Sequence, residues 1–486
     1  MRIQGCKVFS ELSHYWPHIT VAATILDFVV IGIFIPWVLL SKKDANSTMA
    51  WCLVVLLMPL FGALLFWMFG YNYLLRRVRH RRDAHGTRRR HHPPRPPLNP
   101  EADRHEHHLG ELAERLGSYP MRPGNSVVVY QETESAYAAL LEAIESAQHY
   151  IHLEYFILRS DATGQRLFDL LARKAKEGVE VRLLYDAMGC LYLKGRSLRP
   201  LREAGGHIAA FLPLNPLHSL IRVNLRNHRK ITVVDGRVGF TGGMNIGDEY
   251  LGKSAAMGYW RDSFVRLEGP VVADLQRVFG EDWQFVRREV LDEAKYAPER
   301  PPAGDVCAQI ADSGPDQEIN TIREIYFMAI VSARRRLWIA SPYLIPDGGL
   351  LDALRAARYR SVDVRILTLL RPDHYISYYA GLYYAEELLG YGVKIYLYRK
   401  GMMHSKIVLA DDAWGMVGSA NLDNRSLHLN FEIGCMLHDA QQIADLEAAY
   451  RNDLNDADIL DPEMLGNRSL ASHALSNASR LFTPTL

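Results

Sequence analysis

"HRKITVVDGRVGFTGGMN" (residues 228–245) returns as "HSKIVLADDAWGMVGSAN" (residues 404–421), and the pair decides how the chain is read. Both copies carry H-x-K-x4-D-x6-G-[GS]-x-N. The positions are His228, Lys230, Asp235, Gly242, Gly243 and Asn245 in the first copy and His404, Lys406, Asp411, Gly418, Ser419 and Asn421 in the second. A lone HxK is worthless as a signal, whereas six matched positions at one spacing, twice in a chain, are strong. The repeat extends outward. "AIESAQHYIHLEYFI" (143–157) matches "AIVSARRRLWIASPYLI" (329–345), and "KEGVEVRLLYDA" (176–187) resembles "YRSVDVRILTLL" (359–370). Short β-rich runs alternating with helical stretches from about residue 119 predict a duplicated α/β fold.

Strand geometry sorts the motif. Side chains alternate faces with period two, so His and Lys share one face while Asp235 and Asp411 lie on the other and brace the scaffold. "DG" and "DD" turn the chain into a second strand, which returns the Gly-rich segment and the Asn alongside the His. Glycine lets the backbone approach an anion closely, and Asn brings amide donors. Two ammonium groups, two Asn amides and backbone N–H groups suit a phosphodiester and the extra charge of its pentacoordinate transition state. One imidazole attacks phosphorus and the other protonates the leaving oxygen, by way of a phosphohistidine. No cofactor or divalent metal is expected, because no carboxylate cluster shares the face of the His and Lys. Each imidazole needs an acceptor on its second nitrogen. Glu432 in "LNFEIG" is the candidate beside His404, and Asp262 in "YWRDSFV" occupies the matching strand of the first copy.

The duplicated HxKx4D motif resembles the phospholipase D superfamily. "TGGMNIGDEYL" and "NLDNRSLHLNFE", with the N-terminal segment described next, are similar within it to the bacterial cardiolipin synthase family. The resemblance runs from about residue 20 to the end of the second repeat. It implies duplicated phospholipase D-like domains, each a mixed sheet flanked by helices, with one active site between them. It also implies phosphatidyl transfer between two phosphatidylglycerol molecules, giving cardiolipin and glycerol. His228 is then the nucleophile by analogy and His404 the acid and later the base, although the residues alone leave that order open. Gly243 departs from the superfamily's GSxN, so a hydroxyl contact to phosphate is implied only for Ser419.

Residues 19–40 and 50–71 are apolar runs joined by "SKKDANSTM", each near the ~20 residues that span a hydrocarbon core, so a membrane hairpin is expected within residues 1–75. The first run holds one charge, Asp27, read as a bundle-facing contact or a functional group. Eight Arg between residues 76 and 90 place the remainder of the chain in the cytosol by the positive-inside rule. A bacterial inner-membrane, multi-pass protein with cytosolic catalytic domains is the expectation, and the basic tract favours anionic headgroups. Nucleic acid is not an expected partner, since topology already accounts for the tract. A basic, Pro- and His-rich linker fills 76–118, followed by repeat domains at 119–300 and 301–462 and a tail at 463–486 read as a short surface helix or disorder. Ten extra residues in the first copy are placed at 212–226, as a lipid-touching loop or an ordinary insertion. Five scattered cysteines without a CxxC pair argue against disulfides or a thiolate zinc site. Membrane phospholipases or transferases using water or another alcohol share all of this chemistry.

Overall fold

The computed structural model describes residues 4–41, 45–67, 108–213, 225–255, 257–317 and 319–486 of the 486-residue chain. The expected Arg tract, about three quarters of the linker and most of the 212–226 insertion lie outside them, while linker residues His108–Arg115 are helical.

The N-terminal helices form one unit. Helix Gln4–Ser41 contains the segment Trp16–Ser41, which is long and apolar enough to cross a membrane. The second run is not one unbroken helix. It divides into Ala45–Leu57 and Pro59–Leu65. Pro59 has no N–H to donate, and its ring disfavours a helical Met58, which leaves the helix with ψ 74°. Gly62 lets the chain close up after the break, since a Cβ there would lie 2.5 Å from the carbonyl oxygen of Val54. Val38, Val55 and Phe66 form the core of this unit, with the rings of Trp37 and Trp51 centred 5.9 and 5.5 Å from that of Phe66. Asp27 is half-buried on the first helix.

The second unit is built on strands that realise the sequence repeat. The first copy supplies β1 (Arg122–Glu132), β2 (Tyr150–Tyr155), β3 (Glu180–Asp186), β4 (His207–Phe211), β5 (Ile231–Val234), β6 (Val238–Gly242) and β7 (Tyr259–Glu268). The second supplies β8 (Val306–Ser313), β9 (Arg336–Ala340), β10 (Leu344–Ile345), β11 (Asp363–Leu369), β12 (Lys394–Tyr398), β13 (Gly401–Met403), β14 (Ile407–Ala410), β15 (Trp414–Gly418), β16 (Leu422–Asp423), β17 (Glu432–Leu437) and β18 (Ala457–Ile459). From the centre outward the first copy runs β1-β7-β6-β5-β2-β3-β4 and the second β8-β17-β15-β14-β9-β11-β12. β1 and β8 pair antiparallel, Arg122 opposite Ala308, so the two mixed sheets run together as one. β2, β3 and β4 are parallel, as are β9, β11 and β12, and both need helical crossovers. Ala162–Lys176 and Gly348–Tyr359 provide two of these, capped by Asp161 and Asp347, whose carboxylates accept from Gly164 N and Leu350 N at 2.9 Å. Helices cover both copies' apolar faces, with Leu167, Leu171, Leu350 and Leu354 fully buried beneath them.

The tail is ordered helix. Pro462–Gly466 and Leu470–Arg480 pack on Tyr375–Gly390, with Arg480 Nη1 donating to Tyr383 Oη at 2.7 Å. Its face is inverted: Ser476 and Ser479 are buried while Leu470 is 89 % exposed.

Candidate active site

Each motif begins where the chain enters a hairpin between β5 and β6 or between β14 and β15. The turns are alike to the residue. Asp235 and Asp411 both sit at φ 52°, a left-handed conformation that Asp tolerates better than most side chains. Asp235 accepts from the backbone N–H groups of Gln148, His149 and Tyr150, each at 2.8 Å. Asp411 accepts from those of Arg334, Arg335 and Arg336 at 2.9, 2.8 and 3.0 Å. These acids tie each hairpin to the start of the neighbouring strand, away from the histidines.

At the other end the two copies cross. His228 N donates to Phe431 O at 2.9 Å, and His404 N donates to Arg261 O at 2.8 Å. Backbone pairing thus sets each histidine beside the last strand of the opposite copy. His228 Nδ1 is 3.0 Å from Glu432 Oε2, and His404 Nδ1 is 2.6 Å from Asp262 Oδ2. The expected pairing of Glu432 with His404 is therefore exchanged: Glu432 serves His228 and Asp262 serves His404. Phe156 and Trp260 stand against the two rings, with centroids at 4.7 and 5.1 Å.

Burial governs the charges. It pushes His228 down to about 4 against the opposing pull of Glu432, and it lowers His404 as well. Burial also works to raise Asp262 and Glu432, but the facing histidines and the lysines bring both below the usual carboxylate value. For His228 the consistent state is a neutral imidazole donating from Nδ1 to Glu432, with its Nε2 lone pair available. Lys230 and Lys406 are at most 1 % exposed. Burial takes them down to about 7 and about 8, opposed chiefly by Glu432 and Asp262 respectively. Each Nζ donates to the carbonyl of its own histidine, Lys230 at 2.6 Å.

The supporting polar residues are already engaged within the chain. Ser419 Oγ donates to Glu432 and lies 3.2 Å from Ile433 O, so the hydroxyl implied for phosphate also holds the acid. Gly243 has a matching reason to lack a side chain, because a Cβ there would lie 2.1 Å from Asp262 Oδ1. Asn245 Oδ1 accepts from Ile157 N at 3.2 Å. Asn421 Nδ2 donates to Asp423 at 3.0 Å, leaving its buried Oδ1 without a partner among the described residues. Two residues escaped the sequence reading. Asn430 Nδ2 donates to Glu432 Oε1 at 3.1 Å. Arg229, fully buried, donates to Glu432 O at 3.1 Å and to Asp312 at 2.9 Å, locking the copies together. The period-two rule carried the signal for Arg229, which sits between His228 and Lys230 and so faces the opposite side.

Comparisons with known proteins follow the same lines. The family model described as "Cardiolipin synthase, PLD-like domain" matches residues 140–283 and 326–454, and a phospholipase D-nuclease N-terminal model matches 28–70. A cardiolipin synthase of Geobacillus kaustophilus is 38 % identical over 93 % of this chain and 92 % of its own length. One from Staphylococcus aureus is 36 % identical over 95 % and 97 %. A crystal structure of phosphatidylserine synthase from Haemophilus influenzae superposes with a TM-score of 0.59 at 16 % identity, over 78 % of this chain and all of that one, which shows a shared fold.

Proposed function

This chain belongs to the cardiolipin synthase family of phospholipase D-like proteins, and from that premise we propose that it transfers a phosphatidyl group between two phosphatidylglycerol molecules. The observation that carries the reading is the crossed pair of histidine–carboxylate contacts, His228 with Glu432 and His404 with Asp262, beside two buried lysines.

His228 Nε2 attacks the phosphorus of the first phosphatidylglycerol, forming an N–P bond. The P–O bond to the headgroup glycerol breaks, and glycerol takes a proton from the imidazolium of His404. His404, now neutral, removes the proton from a headgroup hydroxyl of the second phosphatidylglycerol. The resulting oxygen attacks phosphorus and breaks the N–P bond, giving cardiolipin, neutral His228 and the imidazolium of His404. Lys230, Lys406 and the Asn245 amide stabilise the charge gathering on the phosphoryl oxygens. The assignment of nucleophile and acid is supported by the acids' surroundings. Glu432 is shared among His228, Ser419 and Asn430, while Asp262 meets His404 at the shorter distance and so favours its cationic form.

Residues 119–300 and 301–462 act as the two phospholipase D-like domains. The N-terminal segment anchors the chain in the inner membrane as a multi-pass hairpin, with the catalytic domains cytosolic. A water-poor site at the bilayer favours a lipid acceptor. Radiolabelled phosphatidylglycerol given to the purified full chain should yield labelled cardiolipin and free glycerol. Phosphatidic acid without cardiolipin would overturn the transfer reading in favour of hydrolysis.

A further inference from the structure

The tail returns to the site. After helix Leu470–Arg480 the chain closes in the turn Thr483–Thr485, where Thr483 is buried. Thr483 Oγ1 donates to Arg480 O and accepts from Tyr384 Oη at 3.4 Å. Two further contacts join the tail to the helix Asn424–His428, which follows the second motif. Asn424 Nδ2 donates to Thr483 O at 3.3 Å, and Arg425 N donates to Leu486 O at 2.6 Å.

That helix is five residues long, too short to hold together alone, and both of its ends serve the site. At its start Asp423 accepts from Ser426 N at 2.6 Å and from Asn421 Nδ2 at 3.0 Å. Arg425 N is one of the first-turn N–H groups that no helical carbonyl can take, and Leu486 O takes it. At its close Arg425 O accepts from Leu429 N and Asn430 N, each at 2.9 Å. Asn430 Nδ2 donates to Glu432 Oε1, and Glu432 Oε2 is 3.0 Å from His228 Nδ1. A run of contacts therefore leads from Leu486 through Arg425, Asn430 and Glu432 to His228. Burial lowers the Arg425 guanidinium against the pull of Asp423, Asp186 and Glu432, so the residue that the tail grips also feels the field of the acid. Among the described residues no hydrogen bond joins the tail to Asp262 or His404.

We propose that Thr483 and Leu486 are positioning residues for the reaction: docked on Asn424 and Arg425, they hold Asn430 and Glu432 where the acid orients His228 for attack. The inference rests on the proposed nucleophilic role of His228. Because the run reaches only one of the crossed pairs, the tail governs formation of the phosphohistidine rather than proton transfer by His404.

Deletion of residues 483–486 tests the proposal, because Arg468 Nη2 to Glu386 Oε2 at 2.6 Å and Arg480 Nη1 to Tyr383 Oη at 2.7 Å still hold helix Leu470–Arg480 in place. Asn424→Ala, which loses only the side-chain donor to Thr483 O, is the milder variant. Denaturant unfolding checks that both are folded, and Asn424→Ala decides on the same readouts if the deletion is not. With phosphatidylglycerol the deletion should lower kcat by about tenfold and leave KM within about twofold. Asn424→Ala should lower kcat by about threefold. The burst from a phosphatidyl p-nitrophenyl ester, which needs no proton from His404, should slow by the same factors. In an Asn430→Ala background the deletion should add less than about twofold, since the run is already cut. Unchanged kcat in a folded variant overturns the proposal. So does a fall in phosphatidylglycerol turnover well beyond the fall in the burst, which marks loosening of both crossed pairs. Factors that multiply in full with Asn430→Ala overturn it too. If the unaltered enzyme releases phosphatidic acid without cardiolipin while the deletion still slows the burst, the tail keeps its role and the transfer reading falls. Cardiolipin made at the full rate by the deletion variant keeps transfer and overturns the role of the tail.

Discussion

In the proposed mechanism, attack by His228 turns its ring into a phosphoimidazolium cation 3.0 Å from the carboxylate of Glu432. At an effective dielectric of about 20, a unit charge pair at that separation is worth about 5 kcal/mol. Glu432→Gln keeps the shape and removes the charge, so the nucleophilic step should slow by about 10^3 to 10^4-fold. Asp262→Asn should cost a similar factor, but on proton transfer by His404. The two are separable with a phosphatidyl p-nitrophenyl ester, whose leaving group departs without a proton. Rapid mixing followed by p-nitrophenolate absorbance should then show a burst of one equivalent from Asp262→Asn and from His404→Ala. Glu432→Gln and His228→Ala should give no burst, and digests of the bursting variants kept at alkaline pH, where an N–P bond survives, should carry the phosphatidyl group on the His228 peptide. A burst from Glu432→Gln but not from Asp262→Asn would refute the assignment. Equal loss in both would refute any division of labour between the crossed pairs.

Lys230 and Lys406 lose their protons near about 7 and about 8 in the free enzyme, and a lysine is cationic only below its own pKa. A pH profile of kcat/KM should therefore decline between pH 7 and 9, where unperturbed lysines near about 10.4 would hold it level. Asp235→Asn and Asp411→Asn each set an amide N–H against a backbone N–H and should lower unfolding free energy by about 1–3 kcal/mol in denaturant titrations. A folded variant with normal stability and no turnover would contradict the bracing role. Gly243→Ser forces its Cβ onto Asp262 and should cut kcat/KM by about 100-fold or more, whereas Ser419→Ala, losing one charge-assisted hydrogen bond, should cost about tenfold.

The motif was legible because alternation along a strand is local: His228 with Lys230 on one face and Asp235 on the other follow from spacing alone. The crossing of the acids was not. It depends on His228 N meeting Phe431 O and His404 N meeting Arg261 O, contacts between segments roughly 140 to 200 residues apart. The hydrogen bond of Ser419 to Glu432 was hidden for a related reason, since the acid lies on the neighbouring strand. The break in the second apolar run was visible in "MPLFG", but hydropathy outweighed the proline there. The tail defeated pattern reading because Leu470–Arg480 buries serines and exposes leucine.

Arg229 and the crossed acids have a consequence for how the molecule matures. A copy that folds before its partner docks holds a histidine without its carboxylate and a lysine without its counter-charge, so the proposed chemistry has no complete site in it. Competence arrives in one step, when the central strands join and both acids are delivered together. Cutting the chain between β7 and β8 should therefore leave two fragments that are silent apart and active only on reassembly, a result that mixing the separately purified fragments would check.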